Sequence, residues 1–327
     1  MEFNDTVLDS QEYLVFFNKE ILPKLLEIEE SKRNTIRPLQ KQIKKRRIIE
    51  NMLYPFALFW DLDRANHNFN AEMKVTTALC RKNNIAKKKL STEIIRLRQL
   101  FKTEIFVKSL NQFFNDTIFI PNQKFGLKSL YNSLLFNSYI TDNKGEDFLR
   151  FYFGDIMLQL SESYIYGDAL MNNFSGIFLS VNFNKEFKNS CVVLQEKWTK
   201  RQIRQYKPAH LPRTAQKTLH LTHLEHSNFE KHFRVYCDDP IEARFLLSPS
   251  LMKRFVEYQN KLGIKIEFSF VNNRLYLKIH TSKDFFEPNF GRKYTASLRY
   301  LKENIGIAFY LIDIIKDLDL DNNIWKA

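Results

Sequence analysis

Glycine is scarce in this chain, with eight among 327 residues, and neither GxGxxG nor GxxxxGK[ST] occurs. A backbone that cannot wrap a phosphate in this way argues against the common nucleotide-dependent chemistries. Cysteine is scarcer still. Cys80, Cys191 and Cys237 stand far apart with no CxxC pair, so neither a disulfide framework nor a zinc ribbon is legible and a reducing compartment is expected. Long apolar runs are also missing. The longest, MLYPFALFW from Met52 to Trp60, is half of what a membrane-spanning helix needs and contains Pro55. The opening MEFNDTVLDSQEYLVFF is acidic and lacks the basic start, apolar middle and small-residue cleavage site of a secretory signal, so a cytoplasmic protein is expected.

What is abundant is apolar bulk and positive charge. Hydrophobic residues make up 44% of the chain, enough to bury a substantial core without help. The net charge of +13 favours anionic partners, and its placement is uneven. Leu14, Phe17, Ile21, Leu25 and Ile28 recur at spacings of three and four, the period of an amphipathic helix. That helix continues as a basic one: from Lys32 to Arg47 there are eight Lys or Arg and no acid, ending in Lys44, Lys45, Arg46 and Arg47 just before the apolar run. A second basic helix is expected from Arg81 to Lys102, with Lys87, Lys88 and Lys89 in a row.

Beyond residue 106 the texture becomes mixed. Leu127, Leu130, Tyr131 and Leu134 predict a helix, then Phe153 to Gly167 alternates at period two, and GIFLSVNF, CVVLQEKW and FRVYC read as further strands. IKIEFSF and RLYLKIH flank Val271, Asn272 and Asn273 as a hairpin. A closing helix is predicted from about Ala296 to Leu318. The expected fold is therefore α+β: long N-terminal helices over residues 1–105, paired as a basic hairpin, then a mainly antiparallel sheet domain over 106–327 with packed helices and a C-terminal helix. The stretch from Lys197 to Lys217 holds seven basic residues and two prolines, and reads as a charged loop.

The segment Phe229–Phe255 gathers His, Cys, Asp, Glu and Arg in the manner of an active site. Capping accounts for much of it: Asp239 at an N-cap, Pro240 at the first helical position and Glu242 placed to reach back to the cap. Ser248 and Pro249 repeat the pattern, and Gly263 marks where the second helix ends. His220, His223 and His226 step by three, but no HExxH is present, and in a strand such spacing faces opposite ways. No catalytic residue, cofactor or metal is expected.

Four stretches carry a resemblance: GEDFLRFYFGDIMLQLSE, FSGIFLSVNFNKEF, LEHSNFEKHFRVYCDDPIEARFLLSPSLMKRF, and FSFVNNRLYLKIH with FFEP and the closing NNIW. In this order they resemble the bacterial family called domain of unknown function 3137, over roughly Phe106 to Trp325. The resemblance implies a protein without an assigned enzymatic activity, set beside membranes and often beside LemA-type membrane proteins. Its members often carry membrane spans after an N-terminal helical segment, where this chain has only the nine-residue run.

Two functional expectations follow. In the first, a non-catalytic module docks on the inner face of an anionic membrane or on a membrane-associated protein through Lys44, Lys45, Arg46, Arg47, Phe56, Phe59 and Trp60. In the second, the same charge binds nucleic acid through Lys87, Lys88, Lys89, Lys200, Arg201 and Arg204, with Trp198 and Tyr206 stacking on bases.

Overall fold

The structure, a computed structural model, describes residues 8–60, 66–168, 173–182, 188–195, 205–208, 218–282, 286–288, 290 and 296–317. The chain divides into two compact units. One consists of Asp9–Ser109 with Phe286–Asn304, the other of Leu110–Phe285 with Met1–Leu8 and Ile305–Ala327.

The first unit is built on two helical rods. One passes through Gln11–Phe16, Leu22–Ser31 and Arg37–Trp60, joined by wider π-helical turns at Phe17–Ile21 and Lys32–Ile36. The other runs over Asn66–Leu100 and into a third such turn, Phe101–Val107. The rods are antiparallel, because the contacts between them descend on one as they ascend on the other. Arg96 pairs with Glu27 at 2.7 Å, Ser31 donates to Glu93 at 2.5 Å, and Arg46 donates to the carbonyl of Lys82 at 2.8 Å. The two rods pair as an antiparallel hairpin of helices, and the first helix extends through Pro55 to Trp60.

Its seam is thin. Ile36, Ala86 and Leu97 are buried and Leu39, Ile43, Leu79 and Leu90 half-buried, at the three-and-four spacing of a coiled coil. The base is firmer: Leu25, Ile28, Phe101, Ile105 and Phe106 are fully withdrawn from water. Phe286 packs edge-on to Phe106 at 5.0 Å, and the neighbouring Glu287 receives Arg98 at 2.6 Å and Lys102 at 3.3 Å. Phe286 and Glu287, distant in sequence, are thereby pinned to the second rod. Lys32 opens its π-helical turn wholly buried, its charge met by Glu29 at 3.0 Å.

The second unit is an antiparallel sheet of eleven strands among the described residues. In chain order they are β1 Asn115–Ile120, β2 Ile140–Asn143, β3 Glu146–Phe153, β4 Ile156–Gly167, β5 Phe174–Asn182, β6 Cys191–Gln195, β7 Gln205–Tyr206, β8 Leu219–Thr222, β9 Phe233–Cys237, β10 Lys265–Val271 and β11 Arg274–His280. Their order across the sheet is β1-β3-β4-β5-β11-β10-β6-β9-β8-β7, with β2 joining β4 beyond the end of β3. The hairpin at Asn272 forms as expected, with Asn272 at φ 54° supplying the left-handed turn.

The central strands are buried on both faces, so their sequences run apolar without alternation. One face carries Leu179, Leu277, Phe268, Val193 and Val235 in a row across five strands. Helix Pro249–Leu262 covers it, Phe255 stacking on Phe268 at 3.9 Å. Farther along, Phe309 of the closing helix Leu298–Asp317 meets Phe113 and Phe114, and Phe114 meets Phe151 of β3. The opposite face carries Phe178, Tyr276, Val192 and Tyr236 beneath helix Leu127–Asn132 and the residues after it.

Gly176 is where two backbones come closest. A Cβ there would lie 2.0 Å from the carbonyl oxygen of Ile279, at φ 152°, so only glycine lets β5 pair with β11 in this register.

Two expectations need correction. Residues 115–120, 140–143 and 146–153 form strands that the sequence pattern did not reveal, the last because Asp147, Phe148 and Leu149 are buried in succession and break the alternation. The stretch Lys197–Lys217 is also not all loop. Gln205 and Tyr206 pair with β8, and Tyr206 is buried against Tyr236 at 5.5 Å, donating its hydroxyl to the carbonyl of Leu134.

Candidate functional site

The charged cluster after β9 turns inward on the fold. Asp239 accepts from the amide of Ile241 at 2.8 Å with Pro240 opening the helix Pro240–Leu246. Glu242 does not reach back to the cap. Its carboxylate instead accepts from the backbone amides of Lys188 and Asn189, at 3.2 and 3.1 Å, and from the Asn189 side chain at 2.7 Å. Asp238 accepts from the amide of Ser190 at 3.0 Å while its own amide donates to the Ser190 carbonyl. Two carboxylates thus hold three consecutive residues at the entry to β6. Arg244 lies beside the carbonyls of Pro240 and His223. Carboxylates saturated by backbone donors serve as clamps for a loop.

The histidines likewise take separate tasks. His226 caps the amide of Phe229 at 3.1 Å, His223 meets Glu230 at 3.3 Å, and His232 faces Gln259 at 3.4 Å. Their spacing in sequence does not gather them in space.

Sequence reasoning missed a buried ionic group in the centre of the sheet. Glu267 of β10 and Lys278 of β11 are opposite one another in register, 2.7 Å apart, and His280 reaches the same carboxylate at 3.3 Å. Lys278 also sits over the rings of Phe136 and Phe174, at 4.8 and 5.4 Å, and donates to the carbonyl of Leu135. Burial alone would raise the Glu267 carboxyl, but the Lys278 ammonium and the His280 ring outweigh it and pull its pKa down to about 2. Neighbouring side chains take the two preceding carbonyls: Ser269 donates to Ser133 and Tyr206 to Leu134. Three successive carbonyls of the segment crossing this face are thus caught from below, which fixes Leu134 at φ 57°. The signal in the sequence was a charged residue in each of IKIEFSF and RLYLKIH, flanked by apolar neighbours on both sides.

A second pairing also escaped the sequence. Cys191 and Cys237 are directly opposite in the β6–β9 ladder, both buried and both free thiols. Burial pushes the Cys191 thiol well up, and the neighbouring Cys237 adds to it. A thiol held protonated in an apolar core is chemically quiet.

The outward surface with a concentrated property is the helical hairpin. Residues 31–49 carry eight Lys or Arg and residues 77–92 five, with no acid in either stretch. Lys44, Lys45, Arg47, Lys87, Lys88 and Lys89 are exposed; Arg46 is half-buried, tying the two helices together through the Lys82 carbonyl. Phe56, Phe59 and Trp60 fall on the last two turns of the first helix. Trp198, Lys200, Arg201 and Arg204 lie outside the described residues. Tyr206 is buried in the sheet unit's core, which removes it as a platform for stacking bases. Among the described residues no helix is long and apolar enough to cross a membrane.

Comparison with known proteins agrees with the motifs. Residues 172–320 match the family described as "Protein of unknown function (DUF3137)", and this part of the chain resembles that family. Comparison with curated proteins gives no match. Among solved structures, the crystal structure of the mycobacterial trehalose monomycolate transport factor A, TtfA, is similar at a TM-score of 0.33 and 10% identity, over 64% of this chain and 90% of that chain. At that score the likeness carries no argument.

Proposed function

We propose that this protein is a non-catalytic bacterial interaction module that docks peripherally, from the cytoplasmic side, on an anionic membrane surface or on a membrane-associated protein such as one of the LemA type. The observation that carries this reading is the hairpin of residues 31–49 and 77–92, dense in exposed cations and free of acids. Each Lys or Arg held near an anionic leaflet contributes on the order of 1 kcal/mol, so a cluster of this size suffices for reversible attachment without a membrane-spanning helix. The carboxylates of the sheet unit that resemble a catalytic set are occupied in holding its loops, which is why the reading is not enzymatic.

The test is replacement of Lys44, Lys45, Arg46 and Arg47 by Gln, followed by flotation with vesicles rich in phosphatidylglycerol. Release of the variant supports docking through the hairpin; unchanged flotation contradicts it. A nucleic-acid function would instead appear as binding to duplex DNA whose affinity falls steeply with salt.

A further inference from the structure

The two helices of the hairpin do not present equivalent outer faces. On the first, the residues directed away from the seam are Arg37, Lys41, Lys44, Lys45, Ile48 and Met52, recurring at three and four and all exposed. Ile48 retains 47% and Met52 65% of its surface, next to the cations on the same face. The stripe is cationic over its first three turns and apolar afterwards, and the helix goes on through the apolar sequence MLYPFALFW. On the second helix the corresponding outer face is Arg81, Ile85, Lys88, Thr92 and Ile95, with two cations in place of four. Two isoleucines there are exposed, at 62% and 59%, but toward the helix start the sequence NHNFNAEMKV is mixed, with Phe69 among Asn66, His67, Asn68 and Asn70, and holds no apolar run like MLYPFALFW.

From this asymmetry we propose that the hairpin lies along the membrane on one side only, with the outer face of its first helix, Arg37–Lys41–Lys44–Lys45–Ile48–Met52, against anionic lipid headgroups. The inference rests on the membrane reading above and specifies its contact surface. Packed helices are 8–10 Å apart and each is 10–12 Å across, so the two outer faces are about 20 Å apart. The Debye length at physiological salt is about 8 Å. Cations on the far face are therefore screened from the lipid, whereas those on the near face each strengthen binding by about fivefold. Ile48 and Met52 enter the headgroup boundary, as the apolar residues of interfacial helices do.

Two variants with the same loss of charge separate this from a general attraction. One replaces Arg37, Lys41, Lys44 and Lys45 by Gln; the other replaces Arg81, Lys87, Lys88 and Lys89 by Gln. All eight are exposed, so the fold is retained, which a thermal melt checks. Binding of the full chain to phosphatidylglycerol vesicles at physiological salt is expected to weaken by about six-hundredfold in the first, four cations at about fivefold each, and by less than about threefold in the second. In parallel, after Cys80→Ser, an environment-sensitive fluorophore is placed at Met52→Cys or at Ile85→Cys. It should shift to the blue on vesicle addition at 52 and remain unchanged at 85. Equal losses in the two variants, or a blue shift at 85 without one at 52, overturn the oriented contact while leaving membrane attachment standing. Failure of the parent protein to bind vesicles overturns both readings together.

Discussion

Glu267 and Lys278 meet at 2.7 Å across the β10–β11 hairpin, with side chains that keep only 7% and 11% of their surface. Taking two charges out of water is costly, and the pair persists because each has a second partner, His280 for the carboxylate and the Phe136 and Phe174 rings with the Leu135 carbonyl for the ammonium. The arrangement holds the segment 133–136 on the sheet, and its energetics are open to direct test.

Replacing Lys278 by Met leaves the Glu267 carboxylate buried with the His280 ring as its remaining partner, and is expected to cost about 3–5 kcal/mol of folding stability. Adding Glu267→Leu removes the buried charge and should recover most of that loss. Urea denaturation of the two variants measures both; equal destabilisation by single and double replacement would contradict the pairing.

The same carboxylate predicts an acid limb. Its folded pKa is lowered to about 2, whereas an unfolded glutamate titrates near 4.3. The stabilisation is therefore fully present above the unfolded value and is lost as pH falls from about 4.3 toward 2, by on the order of 3 kcal/mol. Denaturation midpoints between pH 6 and pH 3 should fall in the parent and flatten in the Glu267→Leu/Lys278→Met variant. A parent as acid-sensitive as the variant would remove Glu267 as the cause.

Glu242 gives a local prediction. Its carboxylate receives three donors from Lys188 and Asn189, so Glu242→Ala should cost about 1–3 kcal/mol and speed amide exchange at those residues. Accelerated exchange confined to helix Pro240–Leu246 would instead return Glu242 to a cap's role.

The fold was legible wherever a local rule governed the chain. Asp239–Pro240, Ser248–Pro249 and Gly263 announced helix ends by cap chemistry, and the two asparagines at 272–273 announced a hairpin. It was illegible where burial on both sides erased alternation, as in β3, or where a strand was only two residues long, as in β7. The hairpin's cations were legible because surface charge needs no tertiary partner. Glu267, Lys278 and the facing cysteines were not, because strand register brings them together across 11 to 46 positions of sequence. Glu242 shows the same limit from the other side: its position fits a local cap, and a more distant loop took it.

The cysteines make that register testable. Cys80 is exposed, whereas Cys191 and Cys237 are buried, and burial disfavours the reactive thiolate at Cys191. An aromatic disulfide reagent should modify one thiol rapidly in the native protein and the other two only on unfolding. Three thiols reacting alike would contradict the β6–β9 pairing.

The central claim is that the basic hairpin attaches the protein to anionic surfaces, and flotation of the purified chain with vesicles tests it most directly. The account predicts flotation with phosphatidylglycerol vesicles and not with phosphatidylcholine vesicles, weakening from low to physiological salt as screening grows. Flotation indifferent to lipid charge, or none with either lipid at low salt, would contradict it.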